Sequence, residues 1–129
     1  MSINIDQFKK AMSQFATGVT VVTTVHQGTP IGITASSFSS LSMDPPLVLV
    51  SLAKKLFTHK VIADSGSFAV SILDADQKEL GMRFAGMIPD IEDRFAGLDV
   101  KTAVTGCPVL ANAIAWVDCR VWDSYDGGD

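Results

Sequence analysis

Every residue from Val19 to Val25 is a valine or a threonine. Side chains branched at Cβ lose rotamer freedom in a helix and pack well on a pleated surface, so this run can hardly be anything but a strand. Gln27-Gly28-Thr29-Pro30 follows with turn chemistry, and Ile31-Gly32-Ile33-Thr34 resumes the extended pattern, which predicts two strands joined as a hairpin. Residues 38–41 read as a further extended piece, stopped by Asp44-Pro45-Pro46, because each proline turns its predecessor away from the helical region. Residues 47–52 read as a buried strand, 68–73 as a strand with apolar residues on both faces, and 113–122 as a final extended run.

Three short helices interrupt the strands. Residues 6–15 put Phe8, Met12 and Phe15 on one face, with Asn4 or Asp6 as N-cap; residues 57–63 suit a helix ended near Gly66; residues 76–84 make the third. About six strands joined as hairpins rather than βαβ repeats predict a mainly β domain with short helices, its antiparallel sheet closed into a small barrel. Residues 86–97, with Pro89 and Asp93-Arg94-Phe95, form an irregular excursion, and Gly106-Cys107-Pro108 marks a second turn region.

The 129 residues suffice for one core, and 47% hydrophobic with 19% charged residues is an ordinary globular composition, so residues 1–129 read as a single domain. A formal net charge of −4 with scattered basic residues gives counterion release no patch to act through, which argues against nucleic acid. The longest strongly apolar stretch, residues 45–53, is far short of the roughly 20 needed to cross a bilayer, and the start Met1-Ser2-Ile3-Asn4-Ile5-Asp6 has no signal-peptide pattern, so a cytoplasmic protein with no membrane partner is expected. Cys107 and Cys119 lack CxxC spacing and read as buried thiols; His26 and His59 form no HxH or HxxxH pair, and no metal is expected.

The glycines form neither GxGxxG nor a P-loop, and no GxSxG elbow, HExxH or paired-carboxylate signature occurs. What stands out is hydroxyl density: Thr34, Ser36, Ser37, Ser39, Ser40 and Ser42 beside a strongly apolar sheet. These suit either an ordinary Ser/Thr loop or a site where small hydroxyls and backbone N–H groups meet the carbonyls, nitrogens and hydroxyls of a planar ligand. Ser51-Leu52-Ala53-Lys54-Lys55 runs into Thr58 near a helix start, offering solvated charges or a cation, a hydroxyl and unpaired N–H groups for a phosphate. Arg83, Phe84, Asp93, Arg94 and Phe95 either plug the core with their rings and pair charges at the surface, or lid a flat ring. Trp116 and Trp122, six apart on the last strand, share a face as packing, dimer or stacking residues.

In order along the chain, Phe15-Ala16-Thr17-Gly18-Val19, Thr34-Ala35-Ser36-Ser37-Phe38, Asp44-Pro45-Pro46-Leu47-Val48, Gly66-Ser67-Phe68-Ala69-Val70, Asp93-Arg94-Phe95-Ala96-Gly97, Gly106-Cys107-Pro108-Val109-Leu110 and Asp126-Gly127-Gly128-Asp129 together resemble the flavin reductase family. The resemblance implies an FMN-binding split barrel with a Greek-key antiparallel sheet, a homodimer with flavin near the subunit interface, and NAD(P)H:flavin oxidoreductase activity that supplies reduced flavin, in many members to a partner monooxygenase. It implies that Thr34, Ala35, Ser36 and Ser37 contact the isoalloxazine and ribityl chain, that Ser51, Leu52, Ala53 and Lys54 with Thr58 hold the ribityl and phosphate groups, and that Phe84 borders the ring. The flavin is FMN or FAD and the co-substrate NADH or NADPH; the chemistry is hydride transfer between cofactors, with no catalytic side-chain nucleophile. Family members commonly continue past the Gly-Asp turn with a histidine and a strand, so the domain is expected to lack its C-terminal strand. Two other readings stay open: a flavin-binding electron carrier without NAD(P)H activity, and a module that only dimerises or binds flavin.

Overall fold

A computed structural model describes residues 2–15 and 17–129; Ala16 of the first family segment and Met1 lie outside the described residues. The helix α1 (Ile5–Met12) opens the described fold, and Asn4 is its cap: the Asn4 Oδ1 accepts from the N–H groups of Asp6 at 3.0 Å and Gln7 at 3.1 Å. It stops short of Phe15 because the Ser13 hydroxyl takes the Lys10 carbonyl at 2.7 Å, while Gln14 and Phe15 donate three residues back rather than four. None of its residues is buried, so Ile5, Phe8 and Met12 present an apolar face to solvent.

The predicted hairpin is β1 (Thr20–His26) and β2 (Thr29–Ala35), antiparallel with Thr20 opposite Ala35 and His26 opposite Thr29. Gln27 and Gly28 turn the chain with φ of 51° and 82°, the doubly left-handed geometry whose twist matches that of the strands it joins. Pro30 is tolerated because β2 is an edge strand.

The second ladder is β3 (Phe38–Met43) against β4 (Pro46–Val50), with a register shift between Ser40 and Ser42 that leaves Leu41 out of the pairing. The sequence predicts a buried strand at 47–52; β4 is instead half exposed, with Leu49 45% accessible. A two-stranded ladder has one face to bury, and Val50 and Leu52 take it, packing with Ile33 and Phe38.

Helix α2 (Phe57–Ser65) ends at Gly66, whose φ of 74° and N–H to the Ile62 carbonyl at 2.8 Å make a left-handed C-cap. Strand β5 (Ser67–Ile72) pairs with β1 on one side and with β8 (Ala115–Arg120) on the other, giving a four-stranded antiparallel order β2-β1-β5-β8. The predicted helix at 76–84 is a 3-10 turn, Ala75–Gln77, followed by α3 (Lys78–Phe84), because Gln77 reaches back to cap Asp74 instead of continuing the α pattern. Strands β6 (Val100–Lys101) and β7 (Val109–Leu110) make a two-residue ladder that no sequence pattern announced.

β1 explains its own composition. Val21 packs into a cluster with Leu73, Phe84 and Leu110, while Val22 points the other way to Ala35, Ile62 and Val70. A strand covered on both faces has no polar side to show. Its buried threonines are satisfied locally: Thr20 Oγ1 donates to the Ala35 carbonyl at 2.6 Å, Thr23 to that of Pro108 at 2.5 Å and Thr24 to that of Ser67 at 2.9 Å.

The mainly β, short-helix class stands, whereas the predicted closed sheet does not appear as a continuous ladder: the described strands pair as groups of four, two and two. Ser51 bridges the gap between β4 and the β2–β3 link by donating its N–H to the Ser37 carbonyl at 3.1 Å. Among the described residues no helix is long and apolar enough to cross a membrane.

Candidate functional site

Two cavities adjoin at the end of β4. The smaller, about 440 Å³, lies between the end of the α1 segment and the start of β3, with Met12, Phe15, Ser36, Ser37 and Ser51 among its walls. The larger, about 1250 Å³, runs from β4 past Lys54, Lys55 and the His59 side of the helix at 57–65 to residues 117–125 and 127–129. Leu49 and Ser51 line both.

The hydroxyl-rich segment is divided between two roles. Ser36 and Ser37 are exposed in the β2–β3 link and face the smaller cavity, joined there by Ser39. Thr34 is half-buried, its hydroxyl donating to the Gly81 carbonyl of α3 at 2.5 Å, and Ala35 lies in the core. These two lock the end of β2; the two serines beyond it are the ones presented.

Ser51, Leu52, Ala53 and Lys54 all line the larger cavity. Leu56 caps α2 without offering a side-chain acceptor, so the helix begins with its positive end open to an anion. Thr58 is only 2% exposed on the inner side of α2 with Val61 and Ile62, and it lines neither cavity. Lys54 meets the Asp126 carboxylate through Nζ and donates its backbone N–H to the Asp129 carbonyl at 2.8 Å. That ammonium, then the Gly128 N–H, hold the Asp126 carboxyl below the usual carboxylate range. In the sequence Asp126 is one residue of the closing Asp126-Gly127-Gly128-Asp129 segment and has no role of its own; only its reach of 72 positions back to Lys54 reveals one.

Phe84 stands apart from both cavities. It is fully buried, edge-to-face with Phe95 at 5.0 Å, and lies over Gly32 of β2. The charges around it do not pair with one another at the surface as expected: Arg94 donates to the carbonyls of Gly32 at 3.0 Å and Phe84 at 2.9 Å, and Arg83 to that of Ala96 at 3.0 Å. Residues 86–97 are thereby pinned along β2. Trp122 lies beyond the end of β8, 72% exposed at the larger cavity, so it does not share a strand face with Trp116 as the spacing suggested. Trp116 instead has the Lys101 ammonium 5.3 Å from its ring centre.

On the outer strand β8, the half-buried Asp118 organises residues 104–105. Burial alone would raise its carboxyl, but the Thr105 hydroxyl and N–H and the Val104 N–H donate to it, with Arg120 nearby, and the balance lowers it. Cys107 is buried and Cys119 half-buried; burial, the Asp118 charge and Cys107 push the Cys119 thiol up to about 11. Cys119 is thus not poised as a nucleophile, and Cys107 is shut away from solvent. The two cavities thus join a slot walled by short hydroxyls and by Met12, Phe15 and Leu49 to a groove that carries Lys54, Lys55 and Arg120 together with Asp118, Asp123 and Asp129.

Residues 12–129 match the family model of the flavin reductase like domain. The chain is 40% identical, over all of its length and 68% of the relative's, to the reductase subunit HsaB of a flavin-dependent monooxygenase from Mycobacterium tuberculosis. Among solved structures it is similar to nitrilotriacetate monooxygenase component B of Mycobacterium thermoresistibile, with a TM-score of 0.88 and 44% identity over 97% of this chain and 69% of that one. It is also similar to an NADH:FAD oxidoreductase of Streptomyces globisporus, with a TM-score of 0.90 and 36% identity over 100% and 77% of the two chains. The chain spans 38% of the length of one further curated relative, a probable flavin reductase of Rhizobium meliloti, and 70% of another, an FMN reductase (NADH) of Agrobacterium fabrum.

Proposed function

The chain belongs to the flavin reductase family, and from that premise we propose that it is an NAD(P)H:flavin oxidoreductase that binds FMN or FAD and supplies reduced flavin to a partner monooxygenase. The observation that carries the proposal is the junction at Ser51. This residue lines both cavities and ties β4 to Ser37, so the hydroxyl-lined slot opens directly onto the groove holding Lys54.

The residues fit a flavin. Ser36, Ser37 and Ser39 offer short donors and acceptors to a ring system, and Met12 and Phe15 give it an apolar wall. Ser51, Leu52 and Ala53 lead the ribityl chain to Lys54 for the phosphate, with the uncapped start of α2 two residues further on, while Thr58, buried on the inner side of that helix, supports the turn from behind. Ala35 and Thr34 hold that arrangement from behind, and Phe84 supports β2 from the core. When bound, the flavin supplies the hydride-accepting chemistry, so the protein's part is to hold the two rings face to face and to keep hydrogen-bond donors where negative charge develops.

The three ladders are the walls of an FMN-binding split barrel of Greek-key type. A second copy covers the apolar faces of α1 and of β3–β4, where Phe8, Met12 and Met43 are exposed, and forms a homodimer. Cys107 and Cys119, both free, suit the reducing cytoplasm in which a nicotinamide-dependent enzyme works.

The test is to mix the purified protein with FMN or FAD and with NADH or NADPH and follow the nicotinamide and flavin absorbance bands. Flavin-dependent oxidation of one nucleotide is expected. Flavin binding without such oxidation points to an electron carrier and overturns the reductase assignment.

A further inference from the structure

The lysine given above to the phosphate already has a carboxylate against it. Asp126 reaches Lys54 Nζ from the far end of the chain, the Gly128 N–H points at the same carboxylate oxygen at 3.4 Å, and Asp129 takes the Lys54 backbone N–H at 2.8 Å. Asp123 and Asp129 therefore line the larger cavity together with Lys54 and Lys55, and Asp126 is held against Lys54.

An ammonium has three donors, so a carboxylate and a phosphate can both touch it. The charges do not accommodate each other so easily. A phosphomonoester carries about −1.5 to −2 near neutral pH, and it must approach a lysine whose positive charge is already offset by a carboxylate in contact with it.

We propose that Asp126 sets the affinity of the phosphate end: its charge weakens the hold of Lys54 on the flavin phosphate, so that flavin exchanges as a passing substrate instead of staying bound. The inference rests on the proposed placement of the phosphate at Lys54. It assigns Asp126 a role distinct from any contact with the flavin ring.

The experiment compares the dissociation constants of FMN and of riboflavin, which has no phosphate, for the wild type, Asp126→Asn, Asp126→Glu and Asp76→Asn at low and physiological salt. Both partners are exposed, so screening keeps the effect modest: Asp126→Asn should tighten FMN binding by roughly three- to tenfold at low salt, and by less at physiological salt. Riboflavin should be unaffected, Asp126→Glu should keep the wild-type value, and Asp76→Asn, which removes an equal charge from the exposed 3-10 turn, should do nothing. Flavin binding by the wild type with no gain for FMN in Asp126→Asn overturns the proposal alone. An equal gain for riboflavin also overturns it, because the segment would then be acting by bulk rather than charge. Failure of the wild type to bind either flavin overturns both this proposal and the reading beneath it.

Discussion

Replacing Gly32 by alanine tests the packing that holds residues 86–97 along β2. A Cβ at Gly32 would lie 2.8 Å from Phe84 Cε1 and 3.0 Å from both Phe84 Cδ1 and Phe95 Cζ, well inside ordinary carbon contact. Neither ring can step aside freely, because Phe84 is wholly buried and Phe95 stands edge-on against it at 5.0 Å. Overpacking of this kind costs roughly 1–3 kcal/mol. Gly32 has no left-handed φ, so alanine also recovers about 0.5–1 kcal/mol by restricting the unfolded chain. From the middle of the two ranges the net loss is about 1.2 kcal/mol. At roughly 2.1 cal/mol/K per residue, a chain of 129 residues unfolds with an entropy near 0.27 kcal/mol/K, so Tm should fall by roughly 5 °C. Circular dichroism melts and urea midpoints at unchanged m-value measure it. Repeating the substitution in a Phe84→Leu background, where the offending ring edge is gone, should cost less than half as much. An alanine variant as stable as the wild type, or an equal cost in both backgrounds, would refute the steric argument.

Other expectations follow from single contacts. Ser37→Trp fills the smaller cavity and should weaken FMN binding at least roughly tenfold by fluorescence titration, since an intruding side chain displaces ring contacts; unchanged affinity rejects this placement of the ring. Ser71→Ala leaves the buried Leu110 N–H, now bonded to the serine hydroxyl at 3.0 Å, without its acceptor, and should cost about 1–3 kcal/mol in urea unfolding. The Asp118 carboxyl is lowered in the fold, so its stabilisation is present above the ordinary carboxylate value and lost as pH falls through the folded one; Asp118→Asn should flatten that acid limb of the urea midpoint against pH. With its thiol pushed up to about 11 and Cys107 buried, Cys119 should resist iodoacetamide at pH 8 until the protein is unfolded, as mass spectrometry would record.

The parts of the molecule legible in the sequence are those decided by neighbours along the chain. The valine–threonine run, the Gln27-Gly28 turn and the Gly66 cap each carry their geometry in a few residues, and each forms where it was expected. The exposure of Ser36 and Ser37 is equally local, since short polar residues just past a strand end fall in the link between strands, here beside the smaller cavity; their contact with a flavin is a proposal. What could not be read depends on partners distant in sequence. Burial of β4 depends on how many strands lie beside it; Leu47-Val48-Leu49 looks the same with one neighbour or two. Thr34 and Thr58 look like any exposed hydroxyls until α3 claims the first and the sheet covers the second. Asp126 acquires meaning only when residues 121–129 return to β4.

Arg94 has an effect on assembly as well as on packing. β2 is an outermost strand of its ladder, and a bare strand margin is a template on which another chain can polymerise. Here a guanidinium sits on the Gly32 carbonyl, so an incoming strand would have to dislodge a cation before pairing at that position. The clasp that seats residues 86–97 thus doubles as a guard against fibril-like stacking, and a variant lacking the arginine would be expected to show the loss first as turbidity on prolonged storage.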